Sequence, residues 1–310
     1  MQAIQTIKKI SAEKLPPILV LSGDDIGQFE WMKEQLLKKV GYDSSDLNYS
    51  YFDMKETAYS EVELDLVSLP FFADEKIVIL DHFVDVTTAK KRYLTDDELQ
   101  SFEGYLSAPL ETTRLIVFAE GKLDSKRRIV KLLKRDAQVL EVTELKEQEL
   151  RAHFTEEIKS LGLAIDSPAF EQLLIKSGFD FSEIQKNLEF LKTYKGASSI
   201  TISDIEEAIP KTLQDNLFDL IQMILKKQID PARSLVKDLR LQGEDEIKLL
   251  AILLSQFRVY TQVKLLKQEG RTESQIVSDL SELTGRKVNP YQVKFALRDS
   301  RGISLSYLEQ

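Results

Sequence analysis

The strongest constraint on the fold is the alternation of short apolar runs with helical patterns over the first 142 residues. After Pro16-Pro17, the run from Ile18 to Ser22 is typical of a parallel strand that is buried on both faces. Strands that alternate with helices indicate βαβ units, so we expect a parallel sheet covered by helices. Further strands are predicted at 47–52, 76–80, 114–118 and 138–142, and helices at 60–69, 95–106 and 125–134.

The rest of the chain predicts helices only. Residues 143–210 carry apolar stripes at helical spacing and indicate a small helical domain. After Pro210 four amphipathic helices follow, with another after Pro290. The final residues, from Leu305, resemble the opening of a helix without a cap, so we expect the last domain to be truncated there. The predicted fold class is α/β plus all-α, with domains 1–142, 143–210 and 211–310.

Residue usage excludes several kinds of site. The chain has no cysteine, which excludes disulfides, thiolate metal sites and a cysteine nucleophile. Its two histidines, His82 and His153, are far apart in sequence, so no multi-histidine metal site is expected, and a Ser-His-Asp triad would need one of them. The N-terminus lacks a signal-peptide pattern and no apolar run approaches about 18 residues. We therefore expect a cytoplasmic protein without metal or membrane span.

Charge is unevenly distributed along the chain. The net charge is −9, but residues 211–310 carry 16 Lys and Arg against 13 Asp and Glu, so the acidic excess lies in residues 1–210. Because phosphate contacts supply much of the affinity for nucleic acids, an acidic body is a poor stand-alone binder of DNA. It could still act in an assembly that encloses DNA.

The turn after the first strand is where a parallel α/β domain usually binds its ligand. A phosphate-binding loop needs glycines, a lysine for the phosphates and a hydroxyl for Mg²⁺. Here the turn contains Gly23, Asp24, Asp25 and Gly27, with the wrong glycine spacing and no Gly-Lys-Ser/Thr. The two aspartates favour the helix macrodipole as N-terminal caps without any ligand. The loop is therefore degenerate, and we expect no cofactor.

Charged residues at strand ends offer little catalytic chemistry. Asp81 and Glu120 each follow an apolar strand as single carboxylates, which we interpret as structural or surface residues. His82 is interpreted as an ordinary loop histidine. The basic cluster of Lys122 and 126–128 is either a solvated face or an ion-pairing contact with a neighbouring subunit. The first domain thus has the form of a nucleotide-binding scaffold without phosphate chemistry.

The stretch Ser68–Lys76, "SLPFFADEK", presents two adjacent aromatic residues. A capping-box pattern at 60–63 predicts a helix from Glu61, and Pro70 predicts that it ends at Leu69. Val62, Leu66 and Leu69 form one stripe that can pack onto the sheet.

Phe71 and Phe72 then lie in a short connection before the next strand. They could fill the core or contact a partner, and the residues alone leave both interpretations open. If they are exposed, Asp74, Glu75 and Lys76 would partly offset the loss of solubility.

The degenerate loop, the order of domains and the "SLPFFADEK-IVIL" stretch together resemble one family. This family is the δ subunit of the bacterial DNA polymerase III clamp loader, an ATPase-inactive member of the AAA+ class. The resemblance implies an AAA+-like first domain, a helical lid and a helical collar. It also implies a hydrophobic wedge that inserts into the sliding clamp and helps to open it. By position the wedge comprises Leu69, Pro70, Phe71 and Phe72, with either Leu69 or Phe71 as its first contact.

The resemblance further implies the partners. These are the sliding clamp (β), the ATPase τ/γ subunits and δ′ through the collar, and primer-template DNA within the polymerase holoenzyme, a nucleotidyltransferase assembly. An alternative is an active P-loop or AAA+ ATPase with an atypical loop. A Rossmann-type enzyme would need a glycine-rich turn that is absent. The δ′ position is disfavoured because that family carries a cysteine zinc site.

Overall fold

The computed structural model describes residues 2–71, 73–196, 198–210, 213–285, 288 and 290–308. It divides into two compact units, Met1–Ala208 and Ile209–Gln310. The first unit contains a five-stranded sheet, in which β1 (Ile18–Gly23) and β3 (Lys76–Asp81) are buried along their whole length. The other strands are β2 (Tyr49–Asp53), β4 (Thr113–Glu120) and β5 (Gln138–Val142).

The sheet has the strand order β2-β3-β4-β1-β5, and every pairing is parallel. Leu19 of β1 lies opposite Ile116 of β4 and Gln138 of β5. In a parallel sheet the carboxyl ends of all strands meet at one edge, and residues that follow β1, β3 and β4 therefore lie near one another. The predicted parallel α/β architecture is confirmed.

Helices cover both faces of this sheet. These helices are α1 (Gln2–Lys9), α2 (Ile26–Val40), α3 (Tyr59–Val67), α4 (Asp96–Ser107) and α5 (Arg128–Asp136), with short 3₁₀ turns at Ala12–Lys14 and Val84–Val86. One face forms a core with α3, α4 and α5, in which Val62, Phe102 and Ile129 pack against strand residues such as Val78 and Val117. Helices α1 and α2 contact β1, β4 and β5 on the other face.

Some local predictions are wrong. Helix α1, which buries Ile4 and Ile7, is absent from the predicted elements, although the spacing of these two residues is typical of one helical face. Helix α3 begins at Tyr59 after Ala58, with no side-chain cap, so the predicted capping box at 60–63 does not form. The burial of Tyr59 against the core decides the start instead.

Four further helices complete the first unit. They are α6 (Glu147–Ser160), α7 (Ser167–Lys176), α8 (Phe181–Lys195) and α9 (Ile202–Ala208). Helices α7, α8 and α9 contact one another, and α8 also contacts α2. The division of this unit into domains 1–142 and 143–210 stays a prediction, because the helices and the sheet form one compact unit.

The second unit is helical throughout its described residues. Leu217, Leu220, Leu239 and Leu249 form one hydrophobic cluster, and a second surrounds Tyr260 and Val263. Its helices are α10 (Leu213–Leu225), α11 (Ile229–Leu241), α12 (Glu246–Gln268), α13 (Glu273–Thr284), α14 (Pro290–Asp299) and α15 (Leu305–Leu308). The predicted fold class, α/β plus all-α, is confirmed.

Helix α12 is unusually apolar for its exposure. Among the described residues it is the one helix whose length and composition would allow it to cross a membrane. Core helices share this length and composition, so a single such helix does not by itself indicate a membrane span. Helix α12 contacts α10, α13, α14 and α15 within its own unit.

Candidate functional site: the connection between α3 and β3

The connection between α3 and β3 carries exposed apolar side chains. Helix α3 buries Val62 and Leu66 in the core and ends at Val67, because Ser68 is already extended. The prediction that Leu69 continues the buried stripe is therefore wrong, since its side chain is 66% exposed. Phe71 is 90% exposed, so it is not a core residue. Pro70 is half-buried, and Phe72 lies outside the described residues.

The outer face of α3 extends this apolar surface. Leu64 and Val67 are three positions apart on the helix and both are exposed. We call Leu64, Val67, Leu69 and Phe71 the apolar tip. A cluster of exposed apolar side chains within eight positions is a common sign of a protein interface. The sequence analysis missed Leu64 and Val67, although their spacing from the buried Val62 and Leu66 would have placed them on the outer face.

Lys76, the first residue of β3, anchors the end of α3. Its side chain is almost fully buried, so it cannot increase the solubility of the tip as predicted. Its amine donates to Ser68 Oγ at 2.8 Å, to the Asp65 backbone carbonyl and to the Asp65 carboxylate at 3.2 Å. A cation at the C-terminal end of a helix also interacts favourably with the macrodipole. The end of the connection that follows α3 is therefore held in place.

Glu75 anchors the other side of the connection. Its carboxylate accepts a bidentate pair of hydrogen bonds from Arg114 of β4, one of them at 2.9 Å. The hydrogen bond from Arg114 lowers the pKa of Glu75. Bidentate pairs of this kind fix geometry as well as adding energy. The apolar tip thus projects from two anchored points.

The turn after β1 is occupied by the chain's own groups. As predicted for this turn, Asp25 caps α2, and its carboxylate accepts from the Gln28 amide at 3.0 Å. The Gln28 side chain is buried and donates to the Thr143 carbonyl at 2.9 Å. A Cβ at Gly27 would lie 2.9 Å from the backbone nitrogen of Ser182, so α8 lies directly on the first turn of α2. The Gln28 amide and the first turn of α2 are therefore engaged by groups of the chain itself.

Asp81, where a magnesium-binding carboxylate would lie, is buried and paired. Lys33 of α2 forms an ion pair with it at 2.5 Å, and the His82 amide donates to its other oxygen at 2.8 Å. The Tyr51 hydroxyl also donates to Asp81, and burial, then this bond, raises the pKa of Tyr51. Asp81 is therefore structural, and Lys33 supplies the positive charge that a metal would otherwise provide.

The remaining predicted polar residues do not form a catalytic group. His82 places Nδ1 3.0 Å from Asp53 Oδ1. Arg127 donates to the Asp85 carbonyl, and Arg128 lies 3.3 Å from Glu103, so this part of the basic cluster is paired within the chain. Among the described residues, no group of three or more metal-binding side chains could hold an ion.

A mixed-charge cavity lies between α2 and α8. It has a volume of about 430 Å³ and is lined by Glu30, Lys33 and Glu34 from α2 and by Gln185, Lys186 and Glu189 from α8. Because both signs of charge line it, the cavity has no electrostatic preference for a nucleotide triphosphate.

A buried histidine lies beneath the contact between α2 and α8. His153 of α6 packs edge-on against Trp31 at 4.8 Å and stacks on Phe181 at 5.1 Å. Neither ring nitrogen has a hydrogen-bond partner among the described residues. Burial, with a smaller contribution from Lys8, lowers the pKa of His153 to about 4. This residue therefore stabilises packing in its neutral form.

Comparison with known proteins places this geometry in a family. Residues 19–143 match the family model for the DNA polymerase III δ subunit, and residues 214–310 match the model for its C-terminal domain. The DNA polymerase III subunit δ of Bacillus subtilis is 26% identical over 297 residues, which are 95% of this chain and 84% of the relative.

Solved structures agree with this assignment. The Bacillus subtilis DNA clamp loader δ protein superposes with a TM-score of 0.61 at 26% identity, over 99% of this chain and 89% of that one. A Thermotoga maritima RuvB mutant gives a TM-score of 0.43 at 9% identity over 94% and 86% of the two chains, which is too distant to carry an argument. The chain belongs to the δ-subunit family of the DNA polymerase III clamp loader.

Proposed function

We propose that this clamp-loader subunit binds the sliding clamp through its apolar tip and helps to open the ring for loading onto primed DNA. The observation that carries the proposal is the 90% exposure of Phe71 beside the exposed Leu69, on a connection anchored by Lys76 and Glu75. Burial of each such side chain in a partner pocket contributes about 1.5–3 kcal/mol, which is enough for a binding hot spot. The decisive experiment measures clamp binding after truncation of these two side chains.

The proposed mechanism is a shift between conformations of the clamp. A ligand changes an equilibrium only by its differential affinity for the two states. The tip would therefore bind more tightly to a clamp protomer whose interface geometry does not fit the closed ring. In this scheme the sister subunits bind ATP and control access to the tip, because this chain's own turn is filled by Asp25, Gln28 and α8.

The second unit would serve as the collar that joins the other subunits. Helix α12 exposes Ile247, Leu250 and Leu254, which share one helical face by their spacing. We propose that this face contacts the ATPase τ/γ subunits or δ′ in a cytoplasmic, replisome-associated assembly around primer-template DNA. In this scheme the chain adds no catalytic activity of its own to the polymerase holoenzyme.

The alternative, an active ATPase with an atypical loop, makes the opposite prediction for nucleotide binding. We expect no saturable binding of ATP·Mg²⁺ by the isolated chain up to about 1 mM, because Lys33 pairs with Asp81 and Asp25 caps the turn. The binding free energy of ATP would then be weaker than about −4 kcal/mol. Calorimetric titration with an active P-loop subunit as positive control measures this. Micromolar affinity for ATP would show that the alternative is right.

Lys76 is predicted to position the tip without touching the clamp. Lys76→Met removes the hydrogen bonds to Ser68 and Asp65, and we expect the free energy of unfolding to fall by about 1–2 kcal/mol. The clamp affinity should fall as well, because the connection loses one anchor. Urea unfolding and surface plasmon resonance measure the two effects. Lys55→Met, at an exposed lysine, is the matched control; equal clamp affinity in both variants would contradict the positioning role.

A further inference from the structure

A groove with an apolar floor crosses the second unit between α10 and α11. Its volume is about 880 Å³, within the range of small-molecule pockets. Met223 and Ile224 of α10, Val236 of α11 and Leu253 of α12 contribute to the floor, and Tyr307 of α15 closes one side. Ile224 and Tyr307 are both more than a third exposed, so apolar surface remains open to solvent.

The rim of this groove is basic. Lys227, Arg233, Lys237 and Arg240 line it, and no Asp or Glu does so among the described residues. Arg240 pairs with Glu246, but both side chains are more than half exposed, where ion pairs contribute little. Arg233 and Lys237 form no ion pair within the part of the chain that the structure describes.

Three of these cations form a stripe along α11. Arg233, Lys237 and Arg240 are spaced i, i+4 and i+7, so they project from one face of the helix. Like charges at such spacings repel one another and destabilise an isolated helix. The stripe spans roughly 10 Å at 1.5 Å per residue. An opposing ligand with carboxylates at the same spacing would remove this repulsion.

We propose that the groove binds a single helix of a partner protein whose apolar stripe is flanked by carboxylates spaced i, i+4 and i+7. The apolar floor takes the stripe, and Arg233, Lys237 and Arg240 pair with the carboxylates. This is the helix-in-groove mode of recognition, with a charged rim that gives specificity and a fast association rate. The inference is independent of clamp binding, because it concerns other residues in the other unit.

Two other anionic partners fit the groove less well. Phosphates of nucleic acids need cations and hydrogen-bond donors, but the floor offers apolar carbon. A lipid surface is flat, and an amphipathic element that lies on it presents a protruding apolar face. This groove is concave and does not present such a face. Both partners serve as competing ligands in the test.

The test uses the full chain and a synthetic helical peptide of about 16 residues, with leucines on one stripe and glutamates at i, i+4 and i+7 beside it. We expect saturable binding by fluorescence anisotropy that weakens as the salt concentration rises. In Arg233→Glu/Lys237→Glu the affinity should fall by about tenfold or more, about 1.4 kcal/mol. The same peptide with lysines in place of glutamates should bind this variant better than it binds the wild type.

Arg258→Glu/Lys267→Glu is the matched control, since it makes the same charge change on exposed positions of α12 outside the groove. It should bind the acidic peptide almost as tightly as the wild type. The proposal is overturned if the acidic peptide shows no saturable binding, if both double variants lose affinity equally, or if duplex DNA or phosphatidylglycerol vesicles displace the peptide and bind more tightly. None of these outcomes changes the expected result at the clamp.

Discussion

Leu69→Ala/Phe71→Ala is expected to weaken binding to the sliding clamp by a factor of about 100 or more, about 2.7 kcal/mol, while the fold stays intact. Each truncated side chain is largely exposed in the free chain, so neither contributes much to the core. Their burial in a clamp pocket would contribute about 1.5–3 kcal/mol each. Surface plasmon resonance with immobilised clamp measures the loss of affinity, and thermal unfolding measures the fold.

A matched control separates the tip from general apolar exposure. Ile26→Ala/Phe190→Ala removes one aliphatic and one aromatic side chain that are also exposed, at other places in the same unit. This variant should bind the clamp like the wild type. If the Leu69→Ala/Phe71→Ala variant unfolds, or binds the clamp unchanged, the wedge assignment is wrong.

The register of the wedge can be measured with a second pair. Phe71→Ala/Phe72→Ala tests the neighbouring aromatic residue, which lies outside the described residues. A larger loss of affinity in this variant than in Leu69→Ala/Phe71→Ala would make Phe71 the first contact. The reverse order would favour Leu69.

His153 is expected to make the first unit less stable in mild acid. Burial lowers its pKa to about 4 in the folded state, from 6.5 when unfolded. Between these values the unfolded chain binds a proton that the native state does not bind, so stability falls as the pH falls from 6.5 to 4. One pKa unit corresponds to about 1.4 kcal/mol, and the total loss is therefore roughly 3 kcal/mol.

His153→Phe should remove this loss. The pocket formed by Trp31, Phe154 and Phe181 is aromatic, and the unpaired ring nitrogens of His153 need no replacement. Urea unfolding at several pH values, followed by the fluorescence of Trp31, the chain's single tryptophan, measures the effect. His82→Asn is the control, because asparagine tolerates the positive φ at this position. The same pH dependence in His153→Phe and wild type would contradict the assignment.

Local sequence was sufficient to predict the sheet. Strands β1 and β3 are buried on both faces, and their unbroken apolar runs are visible without any tertiary contact. The missing phosphate-loop residues and the cap at Asp25 could also be predicted, because each depends on neighbours within a few positions. Pro70 likewise indicated that helical geometry ends before Phe71, the side chain that is exposed.

The tertiary structure decided two features that depend on contacts between residues distant in sequence: the filled turn after β1 and the burial of Lys76. Lys33 and Asp81 are 48 positions apart, and Gly27 meets Ser182 across the unit, so no local pattern indicates that the degenerate site is filled. Lys76 looks like a solubilising charge in the sequence but is buried against Ser68 and Asp65.

The apolar tip combines both sources of information. The local sequence determined that a connection with apolar residues follows α3, since Pro70 disfavours helical geometry at Leu69. Only the packed sheet decided that Leu66 faces the core while Leu69 and Phe71 face solvent, because burial depends on which surfaces the neighbouring strands and helices have already covered.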